Sequence, residues 1–287
     1  MRHLIYILVC AMLCSSCAEQ QQEQDAAVRE SYPNGKLFII GGGDRGDSLM
    51  QAMLDASGWQ PGDLVTAITL PSGWGDSAYI WLNTDLKKLT GVNCVKFDSA
   101  AVYMPEKIDS LRRSKLIFIS GGDQNRMMQL IAGTSVKQVI QEAYLNGAMI
   151  AGTSAGASIM SERMLTGDGL IDTVYADTYP VLWRGNLETA EGLGLLDSVI
   201  IDQHFVVRSR YNRLISAVLE YPEYDAIGID EGTAILVDQG KAKVLGVSQV
   251  IQFKAPKEIS SDTDTVFSAQ GIQLDVFTSG STFDIRQ

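Results

Sequence analysis

The sequence predicts an α/β fold of three layers, with a mostly parallel sheet covered by helices on both faces. Two observations predict it. Short runs rich in Ile, Val, Leu and Phe recur between longer segments of helical spacing, and each of the first four runs is followed by a Gly or Pro turn. In chain order, residues 37–40, 64–70, 116–119, 148–151, 199–201 and 226–229 read as buried parallel strands. Residues 48–56, 78–89, 126–131 and 155–160 read as the helices that follow the first four. Beyond residue 229 the pattern changes to 233–237, a turn at Asp238-Gln239-Gly240, and 244–253, which predicts antiparallel pairing at a sheet edge. The tail, 255–287, is polar with scattered β-formers and predicts no particular element.

The chain has 287 residues, 46% hydrophobic and 20% charged, enough to bury a substantial core. It shows no internal repeat and no mid-chain linker, so residues 35–287 are expected to form a single domain. Lys and Arg total 23 against 34 Asp and Glu, and the net charge of -11 argues against nucleic acid as a partner. Cys10, Cys14, Cys17 and Cys94 show neither metal-ligand spacing nor a disulfide framework, and no metal or organic cofactor is expected. Cys94 lies in an apolar stretch and reads as a buried thiol.

Residues 1–16 have the form of a lipoprotein-type signal peptide: Arg2, an apolar run over 4–13, then small residues before Cys17. That run is too short for a helix to cross a bilayer core of about 30 Å. Lipidation of Cys17 is expected, with ordinary secretion as the alternative. Residues 17–34 read as a polar tether, so the protein is expected to be exported and held at a bacterial membrane, periplasmic or cell-surface, through the N-terminal lipid alone.

Ligands of parallel α/β sheets bind beyond the strand carboxyl ends, where three motifs fall. Gly41-Gly42-Gly43-Asp44-Arg45-Gly46 satisfies G-x-G-x-x-G after a strand. The second strand, however, ends Ile68-Thr69-Leu70-Pro71 without the acidic residue that would hold a ribose, so the turn reads as a tight bend beside some other site. The second motif, Gly152-Thr153-Ser154-Ala155-Gly156, places G-x-S-x-G between a strand and a helix, the context of a nucleophile elbow. There the N–H of Ala155 can help hold an oxyanion; the competing reading makes Ser154 a helix cap.

The only histidines are His3, inside the signal segment, and His204, which follows a predicted strand in Asp202-Gln203-His204-Phe205. A Ser-His mechanism therefore has one base available. A third member must orient the imidazole, and Asp230, Glu231 and Asp172 are candidates between which spacing does not choose. Arg208, Arg210 and Arg213, with Tyr211 among them, form the third cluster, read either as forks for substrate carboxylates or as a solvated helix face.

Together with Gly121-Gly122-Asp123-Gln124 and Gly228-Ile229-Asp230-Glu231-Gly232-Thr233, these motifs resemble the cyanophycinase branch of the S51 serine peptidases over about residues 37–253. The resemblance implies a fold like that of class I glutamine amidotransferases and aspartyl dipeptidase, and a triad of Ser154, His204 and Glu231. It implies oxyanion N–H groups from Gly122 and Ala155, and substrate binding by Gln124, Asp202, Gln203, Arg208, Arg210 and Arg213. The implied activity is that of a serine exopeptidase cleaving aspartyl or isoaspartyl peptides, cyanophycin or its β-Asp-Arg units, through an acyl-enzyme, and the implied assembly is a homodimer. A broader Asp-X dipeptidase and an inactive surface-anchored peptide or glycan binder are the alternatives. Some relatives carry a basic residue where this chain has Met128, a departure that bears on specificity.

Overall fold

The computed structural model describes residues 32–259 and 265–286; the expected signal segment 1–16, Cys17 and most of the expected 17–34 tether lie outside the described residues. The chain first alternates strand and helix: β1 (Lys36–Ile40), α1 (Asp47–Ser57), β2 (Leu64–Ile68), α2 (Gly75–Thr90), β3 (Val95–Phe97), α3 (Pro105–Arg112), β4 (Ser114–Ile119), α4 (Gln124–Ile131), α5 (Val136–Leu145), β5 (Met149–Thr153) and α6 (Ala155–Ser158). Then come β6 (Arg163–Gly169), β7 (Leu187–Glu191), β8 (Val199–Gln203), α7 (Tyr211–Glu220) and β9 (Asp225–Ile229). The chain closes with β10 (Thr233–Asp238), β11 (Lys241–Gly246), β12 (Gln249–Lys254), β13 (Glu258–Ile259), β14 (Ala269–Gln270), β15 (Gln273–Thr278) and β16 (Thr282–Asp284).

An eight-stranded sheet runs β16-β11-β10-β1-β5-β4-β2-β3. It is parallel from β1 to β3 and antiparallel through β10, β11 and β16. Strand side chains alternate between faces, and here both faces are apolar. Leu37 and Ile39 enter one core while Phe38 and Ile40 enter another. The second of these cores is closed by α1 and α2 through Met50, Met53, Leu82 and Leu86; the first takes Met127, Ile131, Val139 and Ile140 from α4 and α5. That arrangement is the expected helix–sheet–helix layering.

Two expectations are corrected. The strands at 199–201 and 226–229 do not join the main sheet: β8 and β9 pair in parallel within a second sheet, β15-β12-β9-β8. Its Val199, Ile201, Ile227 and Ile229 enter the core under the main sheet, while Ile200, Ala226 and Ile251 pack on α7. An apolar run buried on both faces looks the same in either sheet, so local pattern could not separate them. Likewise the single run 244–253 is two strands, β11 in the main sheet and β12 in the second, divided where Gly246 turns at φ 113°. The unassigned tail supplies an edge strand to each sheet, β15 beside β12 and β16 beside β11.

Predicted helices are longer or shorter than their apolar spacing suggested. Asp123 starts α4 two residues early, its carboxylate accepting the N–H groups of Asn125 at 2.8 Å and Arg126 at 3.3 Å. The sheet topology brings the carboxyl ends of β1, β4, β5, β8 and β9 to one rim, and residues 41, 121, 154, 204 and 231 each lie one or two positions past such an end.

Candidate active site

Ser154 follows β5 and precedes α6 with φ 54° and ψ -115°, a conformation that costs a side-chain-bearing residue about 1–3 kcal/mol. Close backbone approach is what makes the turn this tight. A Cβ on Gly152 would meet the carbonyl of Gly156 at 2.2 Å, and one on Gly156 would meet that of Ile119 at 2.4 Å, so both positions require glycine. Although Ser154 occupies the N-cap position of α6, its side chain makes no capping hydrogen bond. The hydroxyl instead lies 2.9 Å from Nε2 of His204, which decides against the capping reading.

His204 also takes a positive φ, 48°, and its N–H donates to Gly41 O at 2.7 Å, tying the end of β8 to the turn after β1. Its Nδ1 stands 2.5 Å from Glu231 Oε1. A carboxylate can only accept, so Nδ1 carries the proton and Nε2 is left with a lone pair facing the serine hydroxyl. Of the three acids open on sequence grounds, Glu231 alone reaches the imidazole. Asp230 accepts the N–H groups of Val206 and Val207 at 3.0 Å each, bracing the turn after His204. Asp172 lies in the 170–180 loop, where it lines a different cavity.

The glycine-rich turn packs on this chain of groups. A Cβ on Gly42 would fall 2.3 Å from the His204 ring, at a backbone φ of 109°. The G-x-G-x-x-G match thus serves to let a loop lie flat on the imidazole. The N–H of Gly122 makes no hydrogen bond among the described residues, and that of Ala155, first in α6, has no intrahelical acceptor. Both are thereby open to a developing oxyanion.

Burial holds His204 below its usual pKa of 6.5; the Glu231 hydrogen bond opposes the shift and the Arg208 charge adds to it. The imidazole is therefore neutral, and competent as a base, at neutral pH. Below its folded-state pKa it protonates, so the acid limb of kcat/KM is expected to have its midpoint under pH 6.5. Arg208→Ala, which removes a lowering charge, should move that limb upward. A rate profile over roughly pH 4 to 8 checks both, and a limb above the ordinary histidine value would remove His204 from the base role.

The other residues implied as substrate contacts are placed less simply. Arg213 is buried and holds Asp202 bidentately, Nε to Oδ2 at 2.9 Å and Nη2 to Oδ1 at 2.5 Å. Arg210, also buried, donates to Gln203 O at 2.7 Å and to the Tyr175 hydroxyl at 3.0 Å. In this structure these charges are neither a solvated face nor free forks: Asp202 and Arg213 pair with each other beneath the end of β8. Gln124 spends its amide on the carbonyls of Leu165 and Thr166, both at 2.9 Å, and thereby anchors β6. Arg208 is part-exposed, 3.7 Å from Asp177. Asp202→Ala would leave a buried guanidinium unpaired and is expected to destabilise the fold by about 3–5 kcal/mol, read by denaturant unfolding.

A cleft of about 260 Å³ contains Ser154 and His204, and its walls are built by Gly42, Arg45, Ser72, Trp81 and Phe118. Sequence reasoning assigned no role to Arg45 or Trp81, because the signal they carry is spatial: one follows β1 and the other stands on α2. No group of three or more His, Cys, Asp or Glu side chains among the described residues is arranged to hold a metal, and no described helix is long and apolar enough to cross a membrane. Cys94 is buried and its thiol is pushed up to about 12 by that burial, which keeps it unreactive.

Comparison with known proteins bears on this geometry. The family model of Peptidase family S51 matches residues 84–245. A cyanophycinase of Trichormus variabilis is 34% identical over 186 residues, which cover 62% of this chain and 59% of that protein's length. A cyanophycinase of Synechococcus elongatus is 28% identical over 273 residues, covering 90% of this chain and 81% of its own. Among solved structures, a peptidase from an acI-B1 Actinobacterium superposes with a TM-score of 0.61 at 18% identity, over 88% of this chain and 97% of that one, a likeness of fold.

Proposed function

The chain belongs to peptidase family S51, and on that premise we propose that it is a serine peptidase hydrolysing aspartyl or isoaspartyl peptides, with cyanophycin or β-Asp-Arg units as substrate. The observation that carries the reading is the hydrogen-bonded series Ser154 Oγ, His204 and Glu231, at 2.9 Å and 2.5 Å. In this reading Ser154 Oγ attacks the amide carbonyl as His204 Nε2 takes its proton. The N–H groups of Gly122 and Ala155 hold the oxyanion, and the imidazolium, stabilised by Glu231, gives its proton to the departing amine. Water then attacks the ester with His204 again as base, returning Ser154 and releasing the acid.

The substrate choice is supported by the cyanophycinase relatives, and the test is direct. Purified protein incubated with cyanophycin, β-Asp-Arg and N-terminal aspartyl dipeptides in parallel is expected to release β-Asp-Arg from the first or free aspartate from the others. Turnover of none of the three would overturn the reading; turnover of α-linked dipeptides alone would move it to an Asp-X dipeptidase.

A further inference from the structure

The arginines closest to His204 in sequence do not line the cleft that holds Ser154. Among the described residues that do, Arg45 is the one with a permanent full charge; His204 is neutral and the remainder are small, hydroxyl-bearing or apolar. Among the described residues, Arg45 is thus the single fixed cation lining the cleft that holds Ser154, in a protein of net charge -11. Its guanidinium is oriented by Asp85, 2.9 Å from Nη2. Its Nε–H is shut away from solvent and has no acceptor among the described residues, so a ligand would meet the terminal Nη groups, whose remaining donors are what the part-exposed side chain offers. The neighbouring wall is Trp81, whose ring stands 68% exposed on α2 with its apolar surface uncovered. The cleft runs on past Gly43, Arg45 and Trp81 into a second hollow of about 600 Å³ bordered by Asp44 and Asp85.

We propose that Arg45 is a substrate-binding and specificity-determining residue: it takes the free carboxylate of an acidic substrate beside Ser154, against the Trp81 ring. The Nη hydrogens not used by Asp85 offer the charged donors a carboxylate needs, and the acidic border beyond them suits a cationic portion of the same substrate. This extends the hydrolase reading above by naming the charge that selects its substrate. The glycine-rich turn then serves twice, since the loop that lies flat on His204 also carries the binding cation at its far end.

The Arg45–Asp85 pair is part-exposed, 21% and 37%, and pairs of this kind add little to stability, so substitution there reads binding rather than folding. The experiment measures binding of succinate and of its monoamide, succinamate, to the full protein by calorimetry, for the wild type, Arg45→Gln and Arg45→Lys. Alongside it, kcat and KM are measured on Asp-X and Asn-X peptides. Wild type should bind succinate more tightly than succinamate. Arg45→Gln should weaken succinate by about tenfold or more, and Arg45→Lys by less, the loss expected of a charge-assisted pair. KM for Asp-X should rise in step, with kcat little changed. Succinate affinity that Arg45→Gln leaves unchanged, or no preference of the wild type for succinate, overturns the proposal. Succinate binding needs no turnover. Arg45-dependent binding with no peptide hydrolysed would sink the hydrolase reading and leave the site, whereas hydrolysis indifferent to Arg45 would do the reverse.

Discussion

Ser154→Ala is expected to lower kcat/KM on the best aspartyl substrate by about 10⁴-fold or more while leaving the melting temperature essentially unmoved. The size of the first effect follows from what is removed, the atom that would form the acyl bond in the proposed mechanism. The neutrality of the second follows from an observation specific to this turn: the Ser154 side chain caps nothing in α6, so its loss breaks no structural hydrogen bond. Initial rates and a melting curve on the same preparation separate the two. A variant retaining near-native rate would exclude Ser154 as nucleophile, and one that melts much lower would show that the hydroxyl holds the elbow together.

Glu231→Gln should cost roughly 10⁴-fold in kcat, with substrate affinity largely kept. In the proposed mechanism the carboxylate does two things that an amide does less well: as a pure acceptor it fixes the proton on Nδ1, leaving Nε2 free to accept from Ser154, and its charge stabilises the imidazolium formed during attack. The pH profile carries an independent signature. The Glu231 hydrogen bond is the influence that raises the His204 pKa against burial, so residual activity in the variant should show its acid limb at still lower pH. Asp230→Asn is the contrasting control, because Asp230 braces the Val206 and Val207 N–H groups and accepts from Ser248. It should lower stability more than it alters the profile. A loss of less than about tenfold for Glu231→Gln would hand the orienting role to another group.

Much of the active site was legible because its signals are local. The elbow needs small residues on either side of a serine at one strand-to-helix turn, and Gly152 and Gly156 announce that requirement within five residues. With only His3, near the N-terminus, and His204 in the chain, the candidate base needed no alignment in space to be named. The acid was harder. Asp230 and Glu231 are adjacent at the end of β9 and their side chains leave the chain in different directions, so only the packed turn decides which meets Nδ1. The arginine cluster was the least legible part, because spacing reports charge and not partner. Arg213 and Arg208 lie close in sequence, yet one is sealed against Asp202 and the other reaches solvent.

By itself the sequence indicated the strands β1, β2, β4 and β5 and the helices α1, α2 and α4, though not β3, α3 or α5, and it singled out Ser154 at a strand-to-helix turn and His204 as its candidate base. Tertiary structure alone decided that β8 and β9 leave the main sheet, that the polar tail supplies one edge strand to each sheet, and that Arg45 rather than Arg210 or Arg213 lines the cleft. Hydrophobic burial and turn sterics act between near neighbours, so they are written in short windows of residues. Sheet membership and charge pairing depend on which distant segments meet, and that is settled only when the whole core closes.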